Sequence, residues 1–301
     1  MPHDPTDLSP AYDDTNVLFH FLRHLGWHDL QNLGYVTLPA LPSCLHSLDH
    51  FQRALVHRSL GLLNASPGDL VLDAACGRGY TTARLADRGC RALGLDVQPR
   101  QIALARTRYG HRPLARFAVA DVTRPLGASQ DIALTAGGVD RVHCLEAAFH
   151  FGPAGRRAFL TESFRLLRPG GRLVLVDFTW PTHTSHTLES LDPEGLVRNA
   201  WRFESIEPLE HYLAHALAAG FHLRTVLDWS RPVIHRTAQL LGLAGAFARR
   251  RAGRRVLRLL QPGLAEFTAS DWSALVATAR AHRAVGGTAG YHAMVFDKPT
   301  G

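Results

Sequence analysis

Two apolar runs, 139-VDRVHCLEAAF-149 and 171-GRLVLVDFTW-180, lead to His150 and carry Asp177. An imidazole oriented by a carboxylate accepts a hydroxyl proton near neutral pH, and the carboxylate stabilises the imidazolium that results. If the two runs are neighbouring strands, His150 and Asp177 form a general base and its partner. Three further acids stand at the ends of earlier runs: Asp73 in 70-LVLDAA-75, Asp96 in 91-RALGLDV-97 and Asp121 in 116-RFAVADV-122. Asp96 is placed to accept hydrogen bonds from both hydroxyls of a ribose, and Asp121 from an exocyclic amine. The three carboxylates would repel a pyrophosphate, so the slot they build suits a cationic or hydroxyl-rich nucleoside.

The first run ends in 76-CGRG-79, where Gly77 and Gly79 bare the backbone at the mouth of a strand and let N–H groups meet a ligand closely. A dinucleotide fingerprint would require a third glycine at position 82, which holds Thr82; this and Asp121 argue against a nicotinamide dehydrogenase. Glu146 precedes His150 by four residues and is a candidate for contact with substrate, as are Asp228 and Trp229 at the end of 221-FHLRTVLDW-229. His183 and His186 in THTSH lack further ligands at metal-binding spacing and read as a polar loop, so no metal is expected.

These residues need a scaffold that gathers strand ends along one edge. Apolar runs alternate with helical patterns from residue 65 onward, the rhythm of a doubly wound, mostly parallel α/β sheet, here of seven strands with a helical cap. The expected organisation is N-terminal helices over 1–64, a Rossmann-like core over 65–229, a helical cap over 230–288 and a last strand over 289–301. The helical patterns 11–35 and 49-DHFQRALVHRSLGLL-63, with the cap, would roof the sheet's carboxyl edge.

Of 301 residues, 46% are hydrophobic, enough for a large core, and no apolar run reaches the length of a membrane span. The acidic, polar start MPHDPTDLSPAYDDTN has no secretory pattern, so a cytoplasmic protein is expected. Cys44, Cys76, Cys90 and Cys144 form no C-x-x-C pair and suit packed, reduced thiols. The net charge of +7 rests on arginine, because Lys298 is the only lysine, and no aromatic-basic interleaving points to nucleic acid. One basic cluster, 248-ARRRAGRRVLRLLQ-261, reads as a solvated helix face, with peripheral contact to a membrane surface as the alternative. The sequence leaves the oligomeric state open, a homodimer included.

The set Asp73-x-Ala75-x-Gly77-x-Gly79, Asp96 after LGL, Asp121 after FAVA, and 165-RLLRPGGRLVLVDF-178 resembles the motifs of the Rossmann-like, S-adenosylmethionine-dependent methyltransferases over residues 65–230. The resemblance implies S-adenosyl-L-methionine as cofactor, with Ala75 and Gly77 facing its methionine part, Asp96 the ribose, Val97 and Gln101 the adenine face, and Asp121 with Val122 the adenine edge. Leu145 joins the same wall, and Tyr12 would close over the cofactor's carboxylate, with Tyr35 as competitor. E-A-x-x-H-F followed by D-F in the next strand is similar to the branch of rebeccamycin-type sugar O-methyltransferases and of tocopherol and quinone methyltransferases. It implies O-methylation of a small natural product, a sugar or polyketide-like scaffold, with His150 as base. Two alternatives stay open: C-methylation of a lipophilic quinone or prenyl substrate, and a protein that keeps S-adenosylmethionine as a structural ligand while ordering a cyclisation.

Overall fold

The computed structural model describes residues 16–27, 30–37, 47–124, 134–203 and 205–301. Among the described residues, seven strands form one sheet in the order β3-β2-β1-β4-β5-β7-β6. They are β1 (Leu70–Ala74), β2 (Arg91–Asp96), β3 (Ala115–Val119), β4 (Val139–Leu145), β5 (Leu167–Thr179), β6 (His222–Asp228) and β7 (Gly290–Asp297). All neighbours run parallel except β7, which is antiparallel to both β5 and β6. The chain order reverses between β1 and β4, and that switch point is where an open α/β sheet leaves a crevice at its carboxyl edge.

The central strands are apolar because both of their faces are covered. Along β5, Val174 and Val176 join one core, while Leu173 and Leu175 join the other. The period of two sends alternate side chains to opposite faces. One core packs beneath α5 (Gly152–Leu166) and α8 (Leu209–Ala218). The other receives α1 (Val17–His24), α2 (Asp49–Leu63), α3 (Tyr80–Ala86) and α4 (Pro99–Tyr109). Helix α2 buries Phe51, Leu55, Ser59 and Leu63 at intervals of four, a single stripe turned to the sheet, and ends where Asn64 adopts a left-handed φ of 50°.

Above the carboxyl edge stand the short helices α6 (Leu188–Leu191) and α7 (Leu196–Trp201), followed by the cap helices α9 (Arg236–Ala248), α10 (Arg251–Leu260) and α11 (Ala269–Thr288). Thr268 caps α11 reciprocally with Asp271, which fixes where that long helix begins. Of the helical pattern expected over 11–35, the described part is helix only at Val17–His24, and residues 30–37 run as irregular chain. Helix α5 ends at Leu166, just before RPGG at 168–171, where Gly170 holds a left-handed φ of 74° and its N–H bonds to the Lys298 carbonyl as β5 begins.

Candidate active site

The turn after β1 is built from two glycines with different duties. Gly79 has φ +85°, and a Cβ there would lie 2.7 Å from both Ala105 Cβ and Phe117 Cε1. It is needed for close packing of α3 on its neighbours and does not line the cleft, a correction to its expected place against the cofactor. Gly77 has φ +52° and faces the cleft, where among the described residues a Cβ would meet only Gln31 Oε1, at 3.1 Å. Ala75 holds φ +55° on the same rim, the left-handed region that a side chain disfavours. Gly94 of β2, within the LGL that precedes Asp96, is as confined: a Cβ there would lie 2.5 Å from Thr82 Oγ1 and 2.9 Å from Cys76 Sγ.

A cleft of about 410 Å³ opens at the switch point, within the range of roughly 300–1,000 Å³ usual for small-molecule sites. Of the expected cofactor residues, Asp73, Ala75, Gly77, Asp96, Val97, Gln101, Asp121, Val122 and Leu145 line it, together with Glu146 and His150. Tyr12 lies outside the described residues. Tyr35 does not reach the cleft, being stacked edge-on to Trp229 at 5.7 Å and under the Arg58 guanidinium at 4.1 Å.

The three acids differ in what they can still bind. Asp73 is buried, accepting from Thr82 Oγ1 at 2.6 Å and paired with His143 Nδ1 at 3.1 Å. His143 in turn meets Ser59 of α2 at 3.0 Å, so Asp73 ties the cofactor turn to α2 and is a positioning residue. Asp96 accepts from the N–H of Gly77 and of Gln98, each at 2.9 Å. Burial raises its pKa, and the two amide bonds oppose that rise. Asp121 lies two residues beyond β3 rather than at its end, where it accepts from Thr123 and faces Arg124 at 3.1 Å.

The chemistry of this cleft suits an adenosyl cofactor. Gly77 leaves a bare backbone toward the cavity, Asp96 is held rigidly at its wall, and Gln101 Oε1 is a buried acceptor without a hydrogen-bond partner among the described residues. That oxygen can take a donor from a bound nucleoside.

His150 and Asp177 do not form the expected pair. β4 ends at Leu145, Glu146 follows with φ +51°, and the chain turns through a short 3₁₀ segment, Ala148–His150. This rotation carries His150 away from Asp177. The Asp177 carboxylate is fully buried and accepts from the N–H of Phe149 and of Phe178, both at 2.8 Å. It therefore braces the turn, and burial pushes its pKa up to about 7. His150 Nδ1 lies 3.2 Å from the Arg202 carbonyl, which can only accept, so Nδ1 carries the proton and Nε2 is the acceptor. Burial drives the His150 pKa down to about 4, leaving a neutral imidazole at physiological pH.

Glu146 accepts from the Tyr291 hydroxyl at 2.7 Å and from the Leu33 N–H at 3.1 Å. Burial raises its pKa to about 8. Gln52 of α2 donates to the carbonyls of Leu30 and Asn32, at 2.9 and 2.8 Å. Segment 30–33 is thus pinned across the site by α2, the β4 turn and β7. Gln52, Tyr291 and this segment carry no sequence signal, because their roles arise only from tertiary contacts.

On the far side of that wall lies a second cavity, of about 340 Å³, lined by α1, α7, α9, α10 and α11. Leu30, Gln31, Asn32, Ala147 and His150 face the cleft, whereas Leu33 and Phe149 face this chamber. Among the described residues its lining is apolar and aromatic apart from Thr237, Gln261 and His282. His282 is fully engaged: Nε2 accepts from Trp201 Nε1 at 2.7 Å and Nδ1 donates to the Thr278 carbonyl at 2.7 Å. Thr237 Oγ1 is buried without a hydrogen-bond partner among the described residues.

Asp228 and Trp229 lie outside both cavities, a second correction. Asp228 is exposed and accepts from the Ser230 N–H at 2.8 Å, while buried Trp229 packs on Tyr35. The reason is topological: β6 is the sheet's edge, separated from the switch point by β7 and β5. His183 and His186 are exposed, and among the described residues no group of three or more His, Cys, Asp or Glu is placed to hold a metal ion.

A family model described as a methyltransferase domain matches residues 71–171. A methyltransferase of Synechocystis sp. is 35% identical over 40% of this chain and 52% of its own length. The demethylmenaquinone methyltransferase of Beutenbergia cavernae is 35% identical over 60% of this chain and 62% of its own. The chain thus spans between half and two thirds of these curated relatives. An O-methyltransferase of Penicillium expansum, cnsE, is 28% identical over 74% of this chain and 75% of its own length. Among solved structures, a cyclopropane synthase of Mycobacterium tuberculosis superposes with a TM-score of 0.70 at 20% identity, covering 98% of this chain and 99% of that one. The cyclase SpnF superposes at 0.66 with 17% identity, covering 99% and 97%. The matched residues run from β1 to the opening of β5, so this part of the chain is a methyltransferase domain, and it is carried on the sheet fold that those solved structures share.

Proposed function

We propose that this protein transfers a methyl group from S-adenosylmethionine to the hydroxyl of a lipophilic small molecule held in the apolar chamber. The observation that carries the reading is the arrangement of a polar, acid-lined cleft and an apolar, aromatic chamber on opposite sides of the segment 30–33 and the turn 146–150. A sugar would leave its many hydroxyls unpaired against such a lining, at a cost of about 1–3 kcal/mol for each one buried without a partner. A polyketide- or prenyl-like skeleton meets the same surface favourably, and Thr237 Oγ1 offers one hydrogen bond to a polar substituent.

The cofactor supplies an electrophilic methyl group on a sulfonium. The chain's residues have to bring the acceptor oxygen to it, exclude water and receive the hydroxyl proton. Segment 30–33 and the turn 146–150 form the boundary at which the two ligands would meet, and His150 stands on it. Its Nε2 would accept the hydroxyl's hydrogen bond and then its proton for passage to solvent, as the oxygen takes the methyl group and the methyl–sulfur bond breaks to leave the neutral sulfide, S-adenosylhomocysteine. With a pKa near 4, His150 aligns the hydroxyl more than it drives ionisation, so its share is orientation as well as proton transfer.

The test follows label from the methyl group of S-adenosylmethionine in the presence of hydroxylated lipophilic acceptors and, separately, of sugar acceptors. Label entering the organic phase as an ether supports the proposal. Label appearing only on sugars, or on no acceptor, overturns it. A carbon-bound methyl group would select the quinone-type reaction instead. The likeness to SpnF concerns the fold, and the same assay separates a cyclase because no label would leave the cofactor while the acceptor was rearranged.

A further inference from the structure

The chamber reaches the surface through residues that belong to it. Leu243, Phe247, Val256 and Leu260 all line it and are also 56, 54, 43 and 50% exposed. Leu259 beside them is 81% exposed, the highest value among the exposed large hydrophobic residues. Five of the nine such residues described in the chain therefore fall between 243 and 260, which makes a patch of what would otherwise be scattered side chains.

Arginines surround this mouth. Arg249, Arg250, Arg251 and Arg255 are exposed, and no acidic residue occurs between Asp228 and Glu266. Two other arginines are used internally. Arg254 donates to the Ala248 carbonyl and Arg258 to the Phe267 carbonyl, and both guanidinium groups lie over the Trp272 ring, at 5.9 and 5.7 Å. They fasten α10 to the cap and leave its remaining arginines and leucines toward solvent.

We propose that this face, the outer side of α10 with the end of α9, docks on an anionic lipid bilayer, so that the chamber opens into the acyl boundary and takes its acceptor from there. The partner is chosen by the chemistry of the patch. An apolar centre bordered by guanidinium groups matches a surface with acyl chains beneath anionic headgroups. A second copy of the chain would set this cluster of like charges against itself across a two-fold contact, with no acid on the same segment to offset it. A nucleic acid would leave Leu259, Leu260 and Phe247 facing a polar backbone. The purpose of the docking rests on the reading of the chamber as a lipophilic-substrate site, but the docking itself does not.

The experiment is flotation of the full chain with vesicles of phosphatidylcholine alone and of phosphatidylcholine with phosphatidylglycerol. The expected result is recovery with the anionic vesicles, weakened by salt. Each arginine near such a surface strengthens partitioning by about fivefold, so the triple variant Arg249→Gln, Arg250→Gln, Arg255→Gln should lose roughly a hundredfold. Leu259→Asp, which lies outside the chamber lining, should lose binding while calorimetric titration with S-adenosylhomocysteine stays as in the wild type. Wild-type protein that remains with neither vesicle, or that floats equally in all variants, overturns the proposal. So does a dimer that Leu259→Asp dissociates without any vesicle binding. Because flotation needs neither acceptor nor methyl transfer, a silent methylation assay and a silent flotation assay are told apart.

Discussion

Gly77 and Gly79 read alike in the sequence and act differently in the fold, which makes them a sharp test at the level of single residues. At Gly79 an added Cβ meets Ala105 and Phe117 at 2.7 Å in a left-handed backbone, so Gly79→Ala should destabilise by about 2–4 kcal/mol from strain and overpacking together. At Gly77 the added atom meets only Gln31 Oε1 and then the cofactor space, so Gly77→Ala should cost about 1–2 kcal/mol in stability. Its larger effect should be on cofactor affinity. Denaturant titration and calorimetry with S-adenosylhomocysteine separate the two, and equal behaviour of the variants in both would contradict the division. For His150, replacement by alanine should leave cofactor affinity nearly intact and reduce turnover by about tenfold or more. Because burial depresses its folded pKa to about 4, the neutral form that the proposed mechanism needs persists through the range in which an ordinary histidine, with a pKa of 6.5, takes up its charge. A pH profile of turnover should therefore show no loss attributable to this group until pH approaches 4. The residues at the strand ends were legible because a strand buried on both faces announces itself as an apolar run and must end somewhere. The separation of His150 from Asp177 was not, because the left-handed φ of Glu146 that turns the chain away carries no glycine to mark it.

At the level of elements, the wall between the cavities is the least legible feature and the one that most shapes the site. It consists of an irregular stretch, 30–33, pinned by Gln52 of α2, by Glu146 after β4 and, through Glu146, by Tyr291 of β7. No periodicity could reveal it, since its three anchors come from distant parts of the chain. Glu146 has its pKa raised from 4.5 to about 8, so the native state holds its proton more tightly than the unfolded chain does. The stability this group contributes is accordingly complete below about pH 4.5 and is lost as pH rises toward about 8. Glu146→Gln, whose amide does not ionise, should show a shallower decline in unfolding free energy across that window, measured by urea titration at several pH values. Parallel curves for the two proteins would remove Glu146 as the source. Gln52→Ala should loosen the wall by leaving two carbonyls unpaired, and hydrogen exchange at Leu33 and Gly34 would report it as faster exchange without a matching change on β1.

Across the whole molecule, the mostly parallel sheet with its reversed order was readable from the alternation of apolar runs and helical patterns, and it determines where the acid-lined cleft opens. The choice of ligand beyond the cofactor was not readable, because the chamber is assembled from α1 at one end of the chain and α7, α9, α10 and α11 at the other. Asp228 and Trp229 mislead for the same reason in reverse: they end a strand, but that strand is the edge. On the proposed reading two ligands occupy adjoining cavities, the adenosyl cofactor on the Asp96 side and the acceptor on the aromatic side, and meet at the boundary formed by segment 30–33 and the turn 146–150. Calorimetric titration of S-adenosylhomocysteine into the wild type, Asp96→Ala and Ile234→Trp tests it most directly, since Asp96 lines the cleft and Ile234 the chamber. The expected result is one site per chain in the wild type, a loss of about tenfold or more for Asp96→Ala from the missing charge-assisted hydrogen bonds, and unchanged affinity for Ile234→Trp. Retained affinity in Asp96→Ala, or its loss when the chamber alone is filled, would contradict it.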